Sequence, residues 1–546
     1  MQYVHNIKLK KIYVLILKTL FDGQKVKTDF WRIENIYFRD KAKTGENIID
    51  LFAWLKKMNG GTIYIPENNY FVHLIDWMEK NGYSRTEKEK LEENQYNCLI
   101  SQHGDFYNLK ICLKAYKQHS NINIFFLNSM HLFKYNGFDF VKYSTNININ
   151  DEIKQSMRIA LNDYAKKIYT LIDMGLTKMT LGACSISFYK EMIGGKKFKY
   201  LFPNSKNGEY ERKAYRGGFL WLNPKYERKI IGPGIRLDYN TMYGTIMKEE
   251  LLPYDEGIYF KGKYKKDAAH PIYIQTIQVS FDLKPNHVPS LSISGLDGRK
   301  EYINTTNDES IEITLTNIDL EVLFKQYTIN YIKYIDGIKY KASNQHFKGY
   351  IEHWDKIKEA ANKSGDKFRE KLAKHMITHL QGKFAAKPNY YNKVPILKED
   401  KIKLEATETK YKPEHYAILS AFITAYGRRK IITIGQKEYN RYIYTDTDSI
   451  VLEGVEIPEY LEISPNELGK LKVELTFKRA KFVTTKGYIL EEANGDCKIY
   501  ASGLPEVARM GLTVETFGEK QITKPESELV AGGIKYIEKT FKFKEY

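Results

Sequence analysis

Two closely spaced aspartates are the residues of this chain whose types and spacing most clearly suggest chemistry. Asp446 and Asp448 lie in segment 444–449, between two apolar-rich runs. On a β-strand, Tyr442 and Tyr444 would share a face with both aspartates, because side chains alternate. Two carboxylates on one face repel unless a cation separates them, and a hard divalent ion shared with phosphate oxygens meets that need. A solvated hairpin tip is the alternative for a bare D-x-D pair.

A third aspartate, Asp238, lies far upstream in a different setting. Apolar alternation up to Leu237 predicts a strand, and Thr241 to Glu250 is predicted as a short helix. Asp238 would then lie at the exit of the strand, where functional side chains commonly collect. Taken alone, it is more typical of a helix N-cap.

A long amphipathic helix is predicted over Asp366 to Phe384. Its apolar side consists of Leu372, Ala373, Met376, Ile377 and Leu380. Its opposite side carries Lys367, Lys371, Lys374, Thr378 and Gln381. Such a cationic stripe is either a solvated face or, beside two carboxylate sites, a device that holds a triphosphate.

Together these three parts suffice for nucleotidyl transfer. Two Mg²⁺ ions, with Mn²⁺ as a substitute, would be bridged by Asp238 and Asp448. They would activate a primer 3′ hydroxyl and neutralise the leaving pyrophosphate. Cationic side chains would hold the β and γ phosphates in line, because this chemistry is mostly positioning and charge stabilisation.

The composition fits a polyanionic partner. The 546-residue chain is long enough for several domains and carries a net charge of +18, spread along its length. Its 43 Tyr and 27 Phe could stack on bases, so nucleic acid is the expected partner, although AT-rich coding also raises Lys and Tyr. Four separated cysteines without a C-x-x-C pair suit a reducing cytoplasm and argue against zinc.

The N-terminal apolar run is predicted to be a strand rather than a targeting signal. The run from Ile12 to Leu17 is interrupted by Lys18, and no small-residue cleavage site follows. No segment is long enough to cross a bilayer. The expected location is therefore the cytoplasm of a host cell, without secretion or membrane attachment.

The order of the segments resembles that of family B DNA polymerases, specifically the protein-primed replicative polymerases of small tailed phages. The similarity runs from about residue 180 to the C-terminus. It implies that Asp238 and Asp448 are the catalytic, metal-binding aspartates, with the Tyr239 carbonyl as a further ligand and Asp446 as a supporting neighbour. It also implies that Tyr243 packs under the sugar and excludes a ribose 2′-OH, so that the substrates are dNTPs.

Further motifs resemble the DNA-contacting motifs of the family: the linker between exonuclease and polymerase halves, a template-contacting motif, a K-x-Y primer-gripping strand and a serine in the N-terminal region. The residues implied as DNA-binding are Tyr215, Gly217, Gly218, Thr424, Arg428, Lys486, Tyr488 and Ser129. Strand alternation would place Lys486 and Tyr488 on one face. The nucleotide-binding residues implied are Tyr243, Lys371, Lys374, Thr378 and Gln381.

The resemblance implies an α+β, multidomain fold: a right hand of palm, fingers and thumb behind an N-terminal ribonuclease-H-like domain. The predicted order is an exonuclease-like domain (1–180), the linker and first part of the palm (181–250), a first terminal-protein region (251–345), the fingers (346–388), a second terminal-protein region for strand displacement (389–413), the second part of the palm (414–485), and the primer-gripping strand and thumb (486–546).

The proofreading motifs of the family are mostly missing. Thr19 to Phe21 stands where the family has D-x-E, and Tyr70 takes the place of the aspartate of the second motif. Asp163 survives in the third motif, where Ile159 replaces a tyrosine. One carboxylate cannot hold two cations, so 3′–5′ exonuclease activity is predicted to be absent. A register shift could instead recruit another acidic residue: Asp22, Asp29 or Glu67.

The predicted function is a DNA-directed DNA polymerase that replicates a small linear genome, as a monomer on primer–template DNA, with strand displacement and a terminal protein as primer. Gln381 replaces an aromatic ring of the family motif, so low fidelity is expected alongside the loss of proofreading. Two alternatives stay open: a specialised low-fidelity repair, translesion or defence polymerase of the same family, and a non-catalytic DNA-binding scaffold. Binding indifferent to Mg²⁺, without synthesis, would favour the scaffold.

Overall fold

The computed structural model describes residues 11–22, 24–38, 42–67, 70–114, 119–126, 149–294, 300–398, 401–412, 416–502, 504, 509–519, 522–530 and 533–541. The chain divides into two compact units. The first comprises Met1–Cys184, Asn389–Lys412 and Pro525–Lys539, and the second comprises Ser185–Pro388, Pro413–Lys524 and Thr540–Tyr546.

The α-helices of the described residues are α1 (Ile48–Lys57), α2 (Tyr70–Lys80), α3 (Asp151–Asp173), α4 (Leu181–Ile193), α5 (Gly195–Leu201), α6 (Gly208–Arg212), α7 (Met242–Glu249), α8 (Asn317–Gln326), α9 (Lys348–Ser364), α10 (Lys367–Phe384) and α11 (Ala417–Lys437). The β-strands are β1 (Ile12–Phe21), β2 (Val26–Asn35), β3 (Lys43–Gly45), β4 (Gly61–Ile65), β5 (Ser84–Arg85), β6 (Gln95–Ile100), β7 (Phe106–Lys114), β8 (His119–Phe126), β9 (Leu220–Leu222), β10 (Ile230–Ile231), β11 (Gly234–Tyr239), β12 (Leu252–Lys261), β13 (Ile272–Leu283), β14 (Ser292–Ser294), β15 (Lys300–Tyr302), β16 (Ile311–Thr316), β17 (Tyr327–Ser343), β18 (Asn389–Tyr390), β19 (Lys393–Lys398), β20 (Lys401–Ala406), β21 (Lys410–Tyr411), β22 (Tyr442–Asp446), β23 (Ser449–Glu453), β24 (Leu471–Phe477), β25 (Arg479–Thr484), β26 (Gly487–Glu491), β27 (Cys497–Ala501), β28 (Ile522–Val530) and β29 (Gly533–Phe541).

The first unit is built on one mixed sheet with the order β20-β19-β6-β7-β8-β4-β1-β2-β3. Strand β4 runs parallel to both β1 and β8, and β1 pairs with β2 antiparallel. Helix α1 begins where the Asn47 side chain accepts a hydrogen bond from the Asp50 amide, and it buries Leu51, Phe52 and Leu55 against this sheet's core. The predicted insertion 389–413 contributes β19 and β20 to the same sheet.

The second unit contains an antiparallel five-stranded sheet with the order β24-β11-β23-β22-β9. Strands β10, β25, β26 and β27 form a second sheet, and β12, β17, β13 and β16 form a third within the predicted insertion 251–345. Helix α11 lies in the interior of this unit, with most of its residues buried. The five-stranded antiparallel sheet carries Asp238 and Asp446.

The predicted cationic helix is present as α10. Helix α9 ends at Gly365, which has a φ of 73°, and Asp366 then caps α10 by accepting a hydrogen bond from the Arg369 amide. All five residues of the predicted apolar side are buried. Across the described residues, no helix is both long and apolar enough to span a membrane.

Candidate active site

The register of the five-stranded sheet brings the predicted aspartates together. Asp238 on β11 lies opposite Ser449 on β23, and Ser449 lies opposite Asp446 on β22. Directly opposed residues point to the same face, so Asp238 and Asp446 flank the middle strand on one side of the sheet. Asp448 immediately precedes Ser449 in the turn, and the charges of both Asp238 and Asp446 act on its carboxyl.

Asp448 lies in a turn, and the predicted common strand face for 442–448 is wrong at both ends. A register shift separates Tyr442 from Tyr444, and β22 ends at Asp446. Thr447 then adopts a φ of 65°, and its amide donates to the Phe219 carbonyl at 2.7 Å. The Asp448 carbonyl accepts from the Tyr239 amide at 2.8 Å, which fixes the turn to β11.

Electrostatic repulsion is concentrated on Asp448. Burial, and then the charge of Asp238, raises the pKa of the Asp448 carboxyl to about 7, although Lys374 acts in the opposite direction. Asp238 and Asp446 each lie near a lysine: Lys472 Nζ is 3.4 Å from Asp238 Oδ1, and Lys486 Nζ is 3.7 Å from Asp446 Oδ2. The face therefore carries carboxylates whose repulsion a further cation would relieve.

The site offers few protein side chains that could bind a metal ion. Within the described parts of the chain, no group of three or more His, Cys, Asp and Glu side chains is close enough to hold a metal ion. Asp238 and Asp448 fit a site completed by backbone and substrate oxygens, because Mg²⁺ is commonly bound by one or two carboxylates and phosphates. The raised pKa of Asp448 fits the same interpretation, since a bound cation would restore the charged form.

Tyr243 packs against the linker motif. A Cβ on Gly218 would lie 3.1 Å from the Tyr243 hydroxyl and 2.9 Å from Thr447 Cγ2, and a Cβ on Gly427 would lie 3.0 Å from the Tyr243 ring. Burial raises the pKa of the Tyr243 phenol. The glycines thus permit close packing that places Tyr243 beside the turn that carries Thr447 and Asp448. Tyr215 of the linker motif is partly buried, and burial raises the pKa of its phenol.

Helix α10 presents the predicted nucleotide-binding residues. Lys371 and Lys374 are exposed, whereas Thr378 and Gln381 are partly buried. The Thr378 hydroxyl donates to the Lys374 carbonyl at 3.1 Å. Gln381 Oε1 is buried and has no hydrogen-bond partner among the described residues, so it could accept a bond from a substrate.

Helix α10 packs against α7, the helix that follows the strand carrying Asp238. A Cβ on Gly244 would lie 2.5 Å from Ile377 Cγ2 on α10. The absence of a side chain at Gly244 therefore lets α7, which follows Asp238, pack closely on the cationic helix.

Thr424 and Arg428 are buried within the second unit. Arg428 is 4% exposed, and its Nη2 lies 2.7 Å from Asp319 Oδ2 on α8. Arg428 Nη1 donates to the carbonyl of Gly217, which has a φ of 69°. The Thr424 hydroxyl donates to the Ser420 carbonyl at 2.9 Å. In this structure both residues brace the protein, and their role as template contacts stays a prediction.

Lys486 and Tyr488 do not share a strand face, contrary to the alternation argument. Lys486 has a φ of 60° and lies in the turn before β26, which begins at Gly487. Its side chain is half-exposed and extends to Asp446. Tyr488 is 3% exposed, and its hydroxyl accepts a bond from Arg236 Nη1 at 2.7 Å. Only Lys486 of this pair is presented to solvent.

The predicted exonuclease positions are engaged in protein contacts. Thr19 is buried, and the Tyr70 hydroxyl donates to the Leu17 carbonyl at 2.8 Å. Asp163 Oδ2 lies 2.6 Å from Lys167 Nζ, and Ile159 is exposed. Ser129, the predicted DNA contact in this unit, lies outside the described residues.

A buried lysine lies in β1 beside Thr19. The Lys18 side chain is 1% exposed, and its Nζ donates to the Thr19 carbonyl at 2.7 Å. Burial lowers the pKa of the Lys18 amine to about 8, while Asp29 acts in the opposite direction. Nearby, Thr28 Oγ1 lies 2.6 Å from His73 Nε2.

Sequence reasoning missed several residues that shape the site. Lys472 pairs with Asp238, Asp319 anchors Arg428, and Arg236 anchors Tyr488. Strand parity could have indicated Arg236, because it lies two residues before Asp238 on the same face of β11. The other two come from segments paired only by the tertiary fold.

Comparison with known proteins agrees with this geometry. The family model "DNA polymerase type B, organellar and viral" matches residues 94–466. The DNA polymerase of Bacillus phage phi29 is 32% identical, covering 98% of this chain and 99% of that protein. The DNA polymerase of Streptococcus phage Cp-1 is 28% identical, covering 68% of this chain and 67% of that protein.

Solved structures give the same result. Phi29 DNA polymerase complexed with primer-template DNA and incoming nucleotide substrates matches with a TM-score of 0.87 at 30% identity, covering 98% of this chain and all of that chain. Phi29 DNA polymerase in an orthorhombic crystal form also matches with a TM-score of 0.87. The predicted α+β multidomain fold is confirmed.

Proposed function

The chain belongs to the organellar and viral type B DNA polymerases, and from that premise we propose that Asp238 and Asp448 carry its nucleotidyl transfer. The predicted family is confirmed: the protein is a DNA-directed DNA polymerase of the protein-primed phage type. The observation that carries the proposal is the convergence of Asp238 and Asp446 on the two sides of Ser449, with the neighbouring Asp448 partly buried beside them and its pKa raised to about 7 by burial and by their charges.

Polymerases of this family depend on divalent metal, and we propose Mg²⁺ as the ion, with Mn²⁺ as a substitute. Asp238, Asp448 and the Tyr239 carbonyl would hold it. When bound, the ions lower the pKa of the primer 3′ hydroxyl and stabilise charge on the leaving pyrophosphate. Asp446 is proposed as a supporting neighbour of these ligands, and its side chain contacts Lys486 and accepts a hydrogen bond from the Thr447 hydroxyl.

The chain's own residues supply binding and orientation. The exposed ammonium groups of Lys371 and Lys374 on α10 would hold triphosphate oxygens. Thr378 lies about one turn beyond Lys374, and Gln381 lies about two turns beyond it. Tyr243, held between glycines beside the catalytic turn, would pack under the sugar and exclude a 2′-OH. These placements support dNTPs and primer–template DNA as the substrates.

We also propose that the protein lacks 3′–5′ exonuclease activity. Two-metal hydrolysis needs several converging carboxylates, whereas Thr19, Tyr70 and the Asp163–Lys167 pair occupy the family positions. The buried Lys18 ammonium next to Thr19 would further repel a cation.

We further propose how the protein is primed and where it acts. A terminal protein is proposed as primer, with the insertion sheet of 251–345 as one docking region and 389–413 as the other. A monomer in the host cytoplasm is proposed, and the four free cysteines suit that reducing compartment. Purified polymerase mixed with a candidate terminal protein and each labelled dNTP in turn would test protein priming, because covalent labelling of that protein is the expected result.

The decisive experiment uses purified protein on a 5′-labelled primer–template with Mg²⁺, with and without dNTPs. We expect extension by the wild type and by Asp496→Asn, a matched change in a distant surface turn, and none by Asp448→Asn. We expect no shortening when dNTPs are withheld. Extension by Asp448→Asn would refute the catalytic assignment, and metal-dependent shortening would refute the loss of proofreading.

A further inference from the structure

A guanidinium lies on the catalytic strand, two residues before the first aspartate. Arg236 and Asp238 occupy the same face of β11, because side chains alternate along a strand. Arg236 is 9% exposed, so it is removed from water on a face where the neighbouring carboxylates carry out the proposed chemistry. A buried arginine at this place needs partners of its own.

The partners of Arg236 are two tyrosines on β26 and β27 and one glutamate in a bulge of β24. Arg236 Nη1 donates to the Tyr488 hydroxyl at 2.7 Å, and its Cζ lies 4.4 Å from the centre of the Tyr500 ring. Its Nε makes a 2.9 Å ion-pair contact with Glu474 Oε2. Glu474 is the residue skipped where β24 shifts register between Arg236 and Leu237, so a β-bulge aims this carboxylate at the guanidinium.

The second catalytic strand makes an equivalent contact. Tyr444 lies two residues before Asp446 on β22, and its hydroxyl accepts the Lys486 amide at 3.1 Å. The ring of Tyr488 packs against the Tyr444 ring at 5.0 Å and stacks on Tyr500 at 4.6 Å. Both strands that carry catalytic aspartates thus hold the 486–488 segment through the residue two positions upstream.

We propose that Arg236 is a positioning residue that fixes the primer-gripping segment 486–488 relative to Asp238. This inference rests on the proposed function and on the predicted role of segment 486–488, in which exposed Lys486 would contact the primer and buried Tyr488 would hold that segment in place. Arg236 acts through Tyr488 and does not touch the substrate. Its charge, planar hydrogen-bonding geometry and ring stacking set the distance between the primer 3′ end and the carboxylates, and a methionine of similar length cannot reproduce them.

The test is single-turnover incorporation by full-length Arg236→Met on a matched primer–template. The maximal rate should fall by roughly 10- to 100-fold, as expected for a misplaced reacting group, with the apparent Kd for dNTP unchanged. Arg479→Met is the matched control, because it removes two ion pairs from β25, the neighbour of the strand that carries Tyr488, and it should keep the wild-type rate.

A cycle with Tyr488→Phe separates positioning from general destabilisation. Tyr488→Phe keeps the ring stack and removes only the hydroxyl that Arg236 contacts, so it should lower the rate in the same direction. The double variant should be no slower than Arg236→Met alone, because both changes break one linkage. Tyr488→Phe also carries the test if Arg236→Met does not fold.

A maximal rate within about twofold of wild type for Arg236→Met, or for Tyr488→Phe where Arg236→Met does not fold, would overturn the inference. The inference would also be overturned if the rate losses of the two single variants added fully in the double variant. Failure of the wild type to extend any primer would instead overturn the proposed function, which keeps the two failures distinct.

Discussion

Replacing Asp448 by asparagine should stabilise the metal-free protein while abolishing synthesis. The substitution keeps the shape of the side chain and removes the charge that burial and Asp238 disfavour. Because the pKa rises from 3.8 to about 7 on folding, the cost of the charged form is about 4 kcal/mol at about 1.4 kcal/mol per unit.

The stability that Asp448→Asn gains over the wild type should depend on pH. Between about pH 4 and pH 7 the folded state holds a proton at Asp448 that the unfolded state has lost, so stability falls as the pH rises. Above pH 7 the full cost is present. Asp448→Asn should therefore gain up to about 4 kcal/mol over wild type at pH 8 and little at pH 4.

The assay is chemical denaturation in EDTA at pH 5 and pH 8, following the transition of the second unit. Asp255→Asn is the control, and its stability should change in the opposite direction to that of Asp448→Asn. A hydrogen bond from Lys341 favours the charged form of Asp255 and so lowers its pKa. That variant should lose stability at pH 8. Adding Mg²⁺ should stabilise the wild type and have a smaller effect on Asp448→Asn. An Asp448→Asn protein no more stable than wild type at pH 8 would show that the carboxylate is not under electrostatic strain.

Three further outcomes are expected. Arg428→Met leaves the Asp319 carboxylate buried without its partner and should lower the free energy of unfolding by about 3–5 kcal/mol. Arg429→Met, at the next position, removes two partly exposed ion pairs of 3.5 Å and should lower it by about 1 kcal/mol or less. Equal losses in the two variants would contradict this reasoning. Gly218→Ala should lower the maximal rate of extension, because its Cβ would displace Thr447, while Gly195→Ala, whose Cβ meets only Lys190 Cε at 3.7 Å, should leave that rate unchanged. Lys18→Met should raise the melting temperature of the first unit at pH 7, and the gain should shrink as the pH rises from about 8 to 10.5; a gain that does not depend on pH would exclude desolvation of the amine as its cause.

Local patterns predicted the elements that carry the site well. Apolar spacing located α10 and its buried side, and alternation located the strand that ends near Asp238. These signals survive because helix and strand periods act on neighbouring residues. The same logic failed over 442–448, since a register shift and a turn residue with positive φ break the alternation that the argument assumed.

Motif resemblance singled out Arg428 but did not predict what its side chain contacts. Arg428 matches a DNA-contacting motif, yet its guanidinium is enclosed by Asp319 and Gly217. The pairing of Arg428 with Asp319 joins residues 109 positions apart. No local pattern encodes such a partner, so sequence alone could not separate a surface arginine from a buried brace.

The two catalytic strands tie the chemistry to the primer grip. Arg236 and Tyr444 each lie two residues before an aspartate, and each bonds to the 486–488 segment. A shift of either strand would therefore move an aspartate and the primer-gripping turn together, which preserves their separation. Lys486 extends this linkage by reaching back to Asp446. Since nucleotidyl transfer depends mostly on positioning, we expect the coupling of these parts through short contacts to protect the rate where isolated side chains would not.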